Sequence, residues 1–243
     1  MRPTSAVLLA AGRGKRQRPF TDQTPKPLLP VGKSNSLDMT LRAAGHAGLK
    51  RACLVTHHLE AQIRSFVGDG SAWGMRASFC HQAALRGSGD GLLSVLTNLP
   101  DWIDRAAPVL VAATDYLLPE NALADLAAAH EAQGCKITVS LKECPPEELS
   151  TRSSVDLDKN WRVRRIVEKP APGEAPSRFT ASLIYILPPG IWDVLPSMEP
   201  SARGELELPA AVNLLLGAGM TAYGLLQPTP LEWSPEFMNN MEY

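Results

Sequence analysis

The stretch LLAAGRGKRQRPFTDQTPKPLLPVG, residues 8–32, decides the fold of the N-terminal part of this chain. It joins the end of an apolar run, 6–9, to a loop that holds Gly12, Gly14, five basic residues and four prolines. The run predicts a buried strand, and the loop that leaves the C-terminal end of a parallel strand opens into the ligand crevice of an α/β sheet. Glycines let backbone N–H groups approach phosphate oxygens, and basic side chains add charge. The stretch therefore predicts a polyphosphate site, in a loop that its prolines hold extended.

Around this loop, apolar runs alternate with amphipathic segments in the pattern of crossover units. The first half predicts strands over 6–9, 52–56, 76–81 and 108–113, and helices over 37–47, 60–67, 91–99 and 122–133. The second half predicts strands over 136–142, 154–156, 163–168, 180–187 and 221–226, a hairpin turn at 158–160, helices near 191–195 and 208–216, and a short C-terminal helix. We expect an α/β fold, a Rossmann-like three-layer sandwich with a mixed, mainly parallel sheet.

Length and composition set further limits. A chain of 243 residues can bury a real core, and a single domain is the expected arrangement. With 24 Lys and Arg against 25 Asp and Glu, no overall field attracts nucleic acid or an anionic membrane, so neither is an expected partner. The four cysteines lie in or beside apolar runs without a C-x-x-C pair, which predicts buried free thiols. No segment resembles a membrane span or a full signal core, so we expect a cytoplasmic protein.

Two commoner glycine loops do not fit the opening stretch. A dinucleotide fingerprint needs a third glycine where this chain has Gln17. A P-loop needs G-x-x-x-x-G-K-[ST], which the residues after Gly12 do not supply. The remaining alternative to a phosphate site is a basic loop that is simply solvated.

The same residues resemble the nucleotidyltransferases that activate sugar 1-phosphates. The family pattern, G-x-G-[ST]-R-x-x-P followed by P-K-P, is matched by Gly12, Gly14, Arg16, Pro19 and the Pro-Lys-Pro at 25–27. The resemblance extends over nearly the whole chain, through 54–70, the E-K-P at 168–170 and the G-E segment at 204–219. It implies the fold of the nucleotide-diphospho-sugar transferases: a single domain, 1–243, with a nucleotide-binding half, 1–135, and an acceptor-binding half, 136–243.

The reaction that this resemblance implies is attack by a phosphate oxygen of an acceptor on the α-phosphorus of a nucleoside triphosphate, with release of pyrophosphate. Such chemistry needs positioning, positive charge and a divalent cation more than a nucleophilic side chain. By resemblance, Arg16 stabilises the departing pyrophosphate and Lys26 bridges the reacting phosphates. The implied nucleotide-binding residues are Ala10, Ala11, Gly12, Arg13, Gly14, Gln82 and Gly87. Gln82 would read a pyrimidine edge, and its structural alternative is a satisfied amide at a strand end.

Asp115 follows a predicted strand and is the expected ligand of Mg²⁺ as well as a catalytic residue. Mg²⁺ bound to a triphosphate commonly takes only one or two protein carboxylates. The structural alternative is a solvent-facing loop carboxylate. The second metal carboxylate of the family, in a W-x-D-[IV]-G-T segment, has no clear match at 231–236, where Glu232 or Glu236 could substitute. The adjacent His57 and His58 have no third ligand at regular spacing, so a structural role is expected for them.

On the acceptor side, the resemblance assigns Lys169 to the acceptor phosphate, Glu168 to its body, and Glu205 to the same pocket. Two departures concern this pocket. Leu183 stands where the family has a glycine that leaves room for a hexose, and Ala210 stands where an aspartate is common. The acceptor therefore remains open between a sugar 1-phosphate and a smaller phosphate or phosphonate, such as phosphocholine or a cyclitol phosphate.

A nucleotide-binding homologue without catalysis is a further hypothesis. The missing second carboxylate favours it, whereas the presence of Arg16, Lys26, Asp115 and Lys169 together argues against it. The expected partners in all cases are a nucleoside triphosphate and a phosphorylated small molecule. Family members often form dimers or tetramers, so a homo-oligomer is an expectation, although no stretch identifies an interface.

Overall fold

The computed structural model describes residues 1–228 and 231–238, without the side chains of residues 231, 232, 236 and 238. Its strands are β1 (Ser5–Leu9), β2 (Pro30–Val31), β3 (Ser34–Asn35), β4 (Arg51–Thr56), β5 (Arg76–His81), β6 (Val109–Ala113), β7 (Tyr116–Leu117), β8 (Ile137–Glu143), β9 (Ser153–Leu157), β10 (Arg162–Glu168), β11 (Phe179–Leu187), β12 (Ala222–Leu226) and β13 (Leu231–Glu232). Its helices are α1 (Ser36–His46), α2 (Glu60–Val67), α3 (Ser88–Asn98), α4 (Ala122–Gln133), α5 (Ile191–Val194) and α6 (Leu208–Gly217).

Nine of these strands form one sheet in the order β5-β4-β1-β6-β11-β8-β12-β10-β9. β1 pairs in parallel with β4 and β6, β4 with β5, and β8 with β12. β11 lies antiparallel between β6 and β8, and β10 lies antiparallel between β12 and β9. The sheet is therefore mixed, with only β10 and β11 running against the other strands, and the predicted hairpin at 158–160 is confirmed.

Alternate residues of the central strands enter two apolar clusters. Val7 packs in one cluster with Leu92 of α3. Leu8 packs in the other with Leu41 of α1 and Leu126 of α4. Because successive side chains of a strand point to opposite faces, the sheet lies between two helical layers. The three-layer α/β sandwich is confirmed, and one continuous sheet contains strands from both predicted halves of the chain.

Most element boundaries lie within one residue of the prediction, and the main exception is α3. This helix begins at Ser88, not at residue 91, because Gly87 ends the preceding loop with a φ of 101°. The cysteines are buried and free, as predicted. Within residues 1–228 and 231–238, no helix is long and apolar enough to cross a membrane.

The loop after β1 differs from the expected extended form. It is built largely from three 3-10 turns, Lys15–Gln17, Phe20–Asp22 and Lys26–Leu28. The ring of a proline fixes φ near −65°, which suits a 3-10 turn as well as an extended chain, and Pro27 lies inside the third turn. The prediction that the prolines hold this loop extended is therefore wrong.

Candidate active site

A cavity of about 350 Å³ opens beside the C-terminal ends of β1 and β6. It contains Lys26, Asp115 and five of the seven predicted nucleotide-binding residues. Its lining consists of Leu9, Ala10, Ala11, Gly12, Lys26, Pro27, Gln82, Leu85, Gly87, Ser88, Ala113, Thr114, Asp115, Tyr116 and Leu183. We call it the nucleotide cavity, and its position at the strand ends is the one that α/β sheets use for ligands.

The loop after β1 offers backbone donors beside this cavity. The N–H of Ala10 donates to the carbonyl of Val55 at 2.8 Å and so continues the sheet. The N–H groups of the next four residues, 11–14, donate to no acceptor in the described part of the chain. At Gly12, nothing lies within 4 Å of the position that a Cβ would take. Free N–H groups beside open space are the donors that phosphate oxygens require.

Gly14 has a packing reason to be glycine. Its φ is 61°, and a Cβ there would lie 2.7 Å from Cγ2 of Thr21 and 3.0 Å from Cβ of Lys26. Thr21 is buried, and its hydroxyl donates to the carbonyl of Gly14 at 2.9 Å. Gly14 itself does not line the cavity. Because it has no side chain, the backbone at this point can lie close to Thr21 and Lys26.

Lys26 and Asp115 form an ion pair in the wall of the nucleotide cavity. The Nζ of Lys26 lies 2.6 Å from Oδ2 of Asp115, and Lys26 is only 7% exposed. The strand end that carries Asp115 is held by the hydroxyl of Ser36, which donates to the carbonyl of Thr114 at 2.7 Å. The other oxygen of Asp115 accepts no hydrogen bond from residues that the structure describes. A buried cation and a partly free carboxylate thus face the same space.

The other cations of the loop lie outside the cavity, and one of them, Arg18, pairs with Asp22 at 3.1 Å. Arg13, Lys15 and Arg16 are exposed, and none of them lines the cavity or forms an ion pair with a described residue. Arg16, the predicted catalytic arginine, lies on the 3-10 turn Lys15–Gln17. The structure places these side chains in the same loop as Gly12 without bringing them to Lys26 and Asp115.

Gln82 is held rigidly at the end of β5. Its N–H donates to the carbonyl of Thr56 at 2.8 Å, and its carbonyl lies 2.8 Å from Nδ1 of His57. Its amide Nε2 donates to Oδ2 of Asp90 at 2.8 Å and to the carbonyl of Gly87 at 3.2 Å. Asp90 is a partner of Gln82 that the sequence does not reveal, because the contact exists only after α3 packs on β5.

Gly87 connects the nucleotide cavity to the G-E segment. A Cβ at Gly87 would lie 2.5 Å from the carbonyl oxygen of Leu206. The N–H of Leu206 donates to the carbonyl of Arg86 at 2.6 Å, and the N–H of Gly89 donates to the carbonyl of Leu206 at 2.8 Å. The predicted base-contacting glycine is therefore also the point at which the chain of 204–207 docks.

A second cavity, of about 250 Å³, adjoins the first, and we call it the acceptor cavity. Both cavities include Gly87, Ser88, Tyr116 and Leu183, so Leu183 lies in their shared wall. The lining of the second cavity consists of Gly87, Ser88, Tyr116, Lys142, Arg152, Ser153, Glu168, Thr180, Ala181, Leu183, Tyr185, Glu205, Glu207 and Pro209.

Three carboxylates of the acceptor cavity surround Arg203. Its Nη2 lies 3.8 Å from Glu168, 3.6 Å from Glu205, and in direct contact with Glu207. Burial raises the pKa of Glu168, and the nearby charge of Glu207 raises it further. Burial likewise raises the pKa of Glu207. Lys169 is exposed and does not line the cavity, although its N–H donates to the carbonyl of Arg152 at 2.7 Å.

Two cations of the acceptor cavity are not among the residues predicted from the sequence. Lys142 is 5% exposed, and its Nζ lies 5.8 Å from the centroid of the Tyr116 ring. Arg152 lines the same cavity, with its Nε 3.0 Å from Glu148. The available signal for Lys142 is its position in the apolar strand ITVSLKE, where a buried lysine needs a specific environment.

The expected metal ligands are Asp115 and, at the second position, Glu232 or Glu236. Asp115 lines the nucleotide cavity, whereas no group of three His, Cys, Asp or Glu side chains suited to a metal occurs among residues whose side chains are described. The side chains of Glu232 and Glu236 lie outside the described residues, although the backbone of Glu232 pairs with Tyr116, next to Asp115. Ala210 is exposed on α6 and lines neither cavity.

The two histidines hold the loops of this region together. His57 contacts the carbonyl of Gln82, and Nε2 of His58 lies 3.0 Å from the carbonyl of Thr21. These contacts connect the segment after β4 to Gln82 and to the loop after β1, which fits the expected structural role.

These features define an α/β protein with two adjoining cavities beside the ends of its strands. The chain belongs to the family described as Nucleotidyl transferase, whose sequence profile matches residues 5–233. The fold and the family thus agree with the resemblance of the Gly12 to Lys26 stretch.

Several relatives carry more specific names. The chain is 29% identical to the low-salt glycan biosynthesis nucleotidyltransferase Agl11 of Haloferax volcanii over 88% of this chain and 57% of that protein. It is 30% identical to the UTP–glucose-1-phosphate uridylyltransferase of Pseudomonas aeruginosa over 84% of this chain and 81% of that protein. The chain spans 53% of a relative of the same name from Synechocystis. It therefore covers only about half the length of some relatives that it matches.

Solved structures share the fold. A UDP-glucose pyrophosphorylase complexed with UDP-glucose aligns with a TM-score of 0.80, covering 97% of this chain and 96% of that one at 20% identity. A putative glucose-1-phosphate thymidylyltransferase from Bacillus anthracis aligns with a TM-score of 0.79, covering 94% and 87% at 21% identity. At these identities the similarity establishes the architecture of the sheet and its layers.

Proposed function

We propose that this protein is a Mg²⁺-dependent nucleotidyltransferase that joins a pyrimidine nucleoside triphosphate to a sugar 1-phosphate and releases pyrophosphate. The observation that carries this proposal is the position of the Lys26–Asp115 pair beside the free N–H groups of Ala11 and Gly12, in a cavity that shares a wall with a second polar cavity. The family and the named uridylyl-, thymidylyl- and adenylyltransferase relatives support the same reaction class.

The reaction is a displacement at phosphorus. An oxygen of the acceptor phosphate forms a bond to the α-phosphorus, the bond from the α-phosphorus to the bridging β-oxygen breaks, and that oxygen leaves with pyrophosphate. The N–H groups of Ala11 and Gly12, which line the cavity, would hold phosphate oxygens, and the ammonium of Lys26 would face the charge that develops. Because Lys26 is buried, the medium around its charge is less polarisable than water. The attraction between its ammonium and a phosphate oxygen is correspondingly stronger.

Asp115 fits the requirements of Mg²⁺. One of its oxygens is held by Lys26, and the other accepts no hydrogen bond from the described part of the chain. Mg²⁺ in nucleotide sites takes one or two carboxylates and completes its shell with phosphate oxygens and water. When bound, the ion would neutralise phosphate charge and orient the triphosphate. Lys26 holds the Asp115 carboxylate directly, and the hydrogen bond from Ser36 to the carbonyl of Thr114 holds the strand end that carries it.

One observation favours a second acceptor class. The side chain of Leu183 lies in the wall between the two cavities, where a bound acceptor must approach the nucleotide. A leucine at this point reduces the space for a hexose, which favours a smaller phosphate or phosphonate, such as phosphocholine or a cyclitol phosphate. The reaction chemistry is the same in both cases.

Pyrophosphate release from the purified protein tests the proposal. We would combine the common nucleoside triphosphates with sugar 1-phosphates, phosphocholine and small phosphonates, with Mg²⁺ and with EDTA in its place. Release with one pair of substrates, abolished by EDTA, is the expected result. A protein that binds a triphosphate tightly and releases no pyrophosphate with any acceptor would instead be a nucleotide-binding homologue without catalysis.

A further inference from the structure

A phosphorylated acceptor needs a cation at the place where the two cavities meet. An oxygen of its phosphate must bond to the α-phosphorus in the nucleotide cavity, so this phosphate must lie beside the residues that line both cavities, among them Tyr116 and Leu183. The acceptor phosphate and the triphosphate are both negatively charged and repel each other at this distance, and a fixed cation offsets the repulsion. The wall of the acceptor cavity should therefore contain a cation near Tyr116.

Lys142 lies at this junction. It lines the acceptor cavity, and its Nζ is 5.8 Å from the centroid of the Tyr116 ring. Tyr116 directly follows Asp115 in the chain and so adjoins the Lys26–Asp115 pair. Because Lys142 is only 5% exposed, bulk water and salt screen its charge little. A strong positive charge is thus held close to the place where the reacting phosphate must lie.

The other cations on the acceptor side are less suited to this role. Lys169 is exposed and lines neither cavity. Arg203 also lines neither cavity, and its guanidinium is surrounded by three carboxylates. Arg152 lines the acceptor cavity, but its Nε lies 3.0 Å from the carboxylate of Glu148. Position and burial therefore single out Lys142.

A pair of buried hydroxyl groups beside Lys142 has one hydrogen to spare. Thr180 is the cross-strand partner of Lys142, and its Oγ1 lies 3.1 Å from Oγ of Ser153, which also accepts from the N–H of Ala181 at 3.2 Å. Thr180 is 2% exposed and Ser153 is 7% exposed, and both line the acceptor cavity. One hydroxyl hydrogen lies between the two oxygens, and the other has no acceptor in the described part of the chain. A buried donor without an acceptor favours a ligand rich in acceptor oxygens, such as a phosphate.

We propose that Lys142, together with the hydroxyl pair of Ser153 and Thr180, binds the phosphate of the acceptor in place of Lys169. This inference rests on the proposed function for the kind of ligand, a phosphorylated small molecule. It deepens that function, because it assigns the acceptor phosphate to side chains of β8, β9 and β11 that lie outside the E-K-P at 168–170.

The test compares Lys142→Met with the wild-type protein, since methionine keeps the length of the side chain and removes its charge. In pyrophosphate release, KM for the acceptor should rise by about tenfold or more, because a hydrogen bond from a charged donor contributes more than a neutral one. KM for the triphosphate should not change. Titration calorimetry with orthophosphate and phosphocholine as probes, with and without the α,β-methylene analogue of the triphosphate, measures the same loss of phosphate affinity without turnover.

Lys136→Met is the matched control. Lys136 directly precedes β8, is exposed and lines neither cavity, so loss of its charge should leave both KM values unchanged. Lys169→Met represents the competing assignment, under which its effect on the acceptor would exceed that of Lys142→Met. The double variant Ser153→Ala with Thr180→Val keeps Lys142 and should weaken acceptor binding by about threefold or more. Thermal unfolding would show that each variant is folded.

The outcomes separate this inference from the proposed function. An unchanged KM for the acceptor in Lys142→Met or in the double variant, an equal rise in KM for both substrates, or a larger loss in Lys169→Met overturns it, even where turnover is robust. Failure of both probes to bind the wild-type protein overturns it as well. Absence of pyrophosphate release with every acceptor, together with probe binding that Lys142→Met abolishes, contradicts the proposed function and supports the inference.

Discussion

Replacement of Gly14 by alanine tests whether the packing of the loop positions Lys26. The φ of 61° at Gly14 costs an alanine roughly 1–2 kcal/mol. The added methyl group would also lie 2.7 Å from Cγ2 of Thr21 and 3.0 Å from Cβ of Lys26. Thr21 cannot rotate away without losing the hydrogen bond of its hydroxyl to Gly14, so overpacking adds about 1–3 kcal/mol. We therefore expect G14A to lower the free energy of unfolding by about 2–5 kcal/mol.

Urea denaturation of two further variants separates these contributions. Gly134, at the C-terminal end of α4, has a φ of 59° and nothing within 4 Å of the position that a Cβ would take, so G134A should lose only about 1–2 kcal/mol. Gly12 has neither a positive φ nor a neighbour within 4 Å, so G12A should keep wild-type stability and bind the triphosphate more weakly. Equal losses in G14A and G134A would refute the argument from close contact with Thr21 and Lys26.

Three further predictions concern the two cavities. Asp115→Asn should reduce turnover by about a hundredfold or more while calorimetry still detects triphosphate binding, and unchanged turnover would exclude Asp115 as the metal ligand. Leu183→Gly should raise kcat/KM for a hexose 1-phosphate relative to a small phosphate acceptor by about tenfold, whereas an unchanged ratio would show that Leu183 does not limit the acceptor. Burial raises the pKa of Glu168 in the folded protein, so its contribution to stability is fully present below the unfolded pKa and is lost as pH rises through the folded value. E168Q should therefore gain stability relative to wild type as pH rises above the ordinary glutamate pKa, as measured by urea midpoints, and a constant difference would contradict the raised pKa.

Much of the fold is predictable because its signals are local. The sequence places β5, α2 and α4 at their observed bounds, and in α2 the buried Ile63 and Val67 lie four residues apart, as the period of a helix requires. The order of strands is not a local property. β11 inserts antiparallel between β6 and β8, and the pattern of the second half gives no sign of that position.

The candidate site divides in the same way. Gly12, Lys26 and Gln82 are found by short motifs, whereas their partners depend on tertiary contact. Lys26 and Asp115 are 89 residues apart and meet only because β1 and β6 are neighbours. The contact of Asp90 with Gln82 likewise requires α3 to pack beside β5, and Gly14, predicted as a nucleotide contact, has Thr21 and Lys26 as its nearest neighbours.

The docking of residues 204–208 explains how the two cavities can act together. Leu206 exchanges backbone hydrogen bonds with Arg86 and Gly89, and the N–H of Leu208 donates to the hydroxyl of Ser88 at 2.9 Å. The same segment carries Glu205 and Glu207 into the acceptor cavity. The loop at 86–89 is thus hydrogen-bonded to the segment that lines the acceptor cavity. A displacement of one would be transmitted to the other through these backbone hydrogen bonds. Under the proposed function, the close packing of Leu206 against Gly87 would fix the distance between the two substrates, and positioning is the main requirement of phosphoryl chemistry.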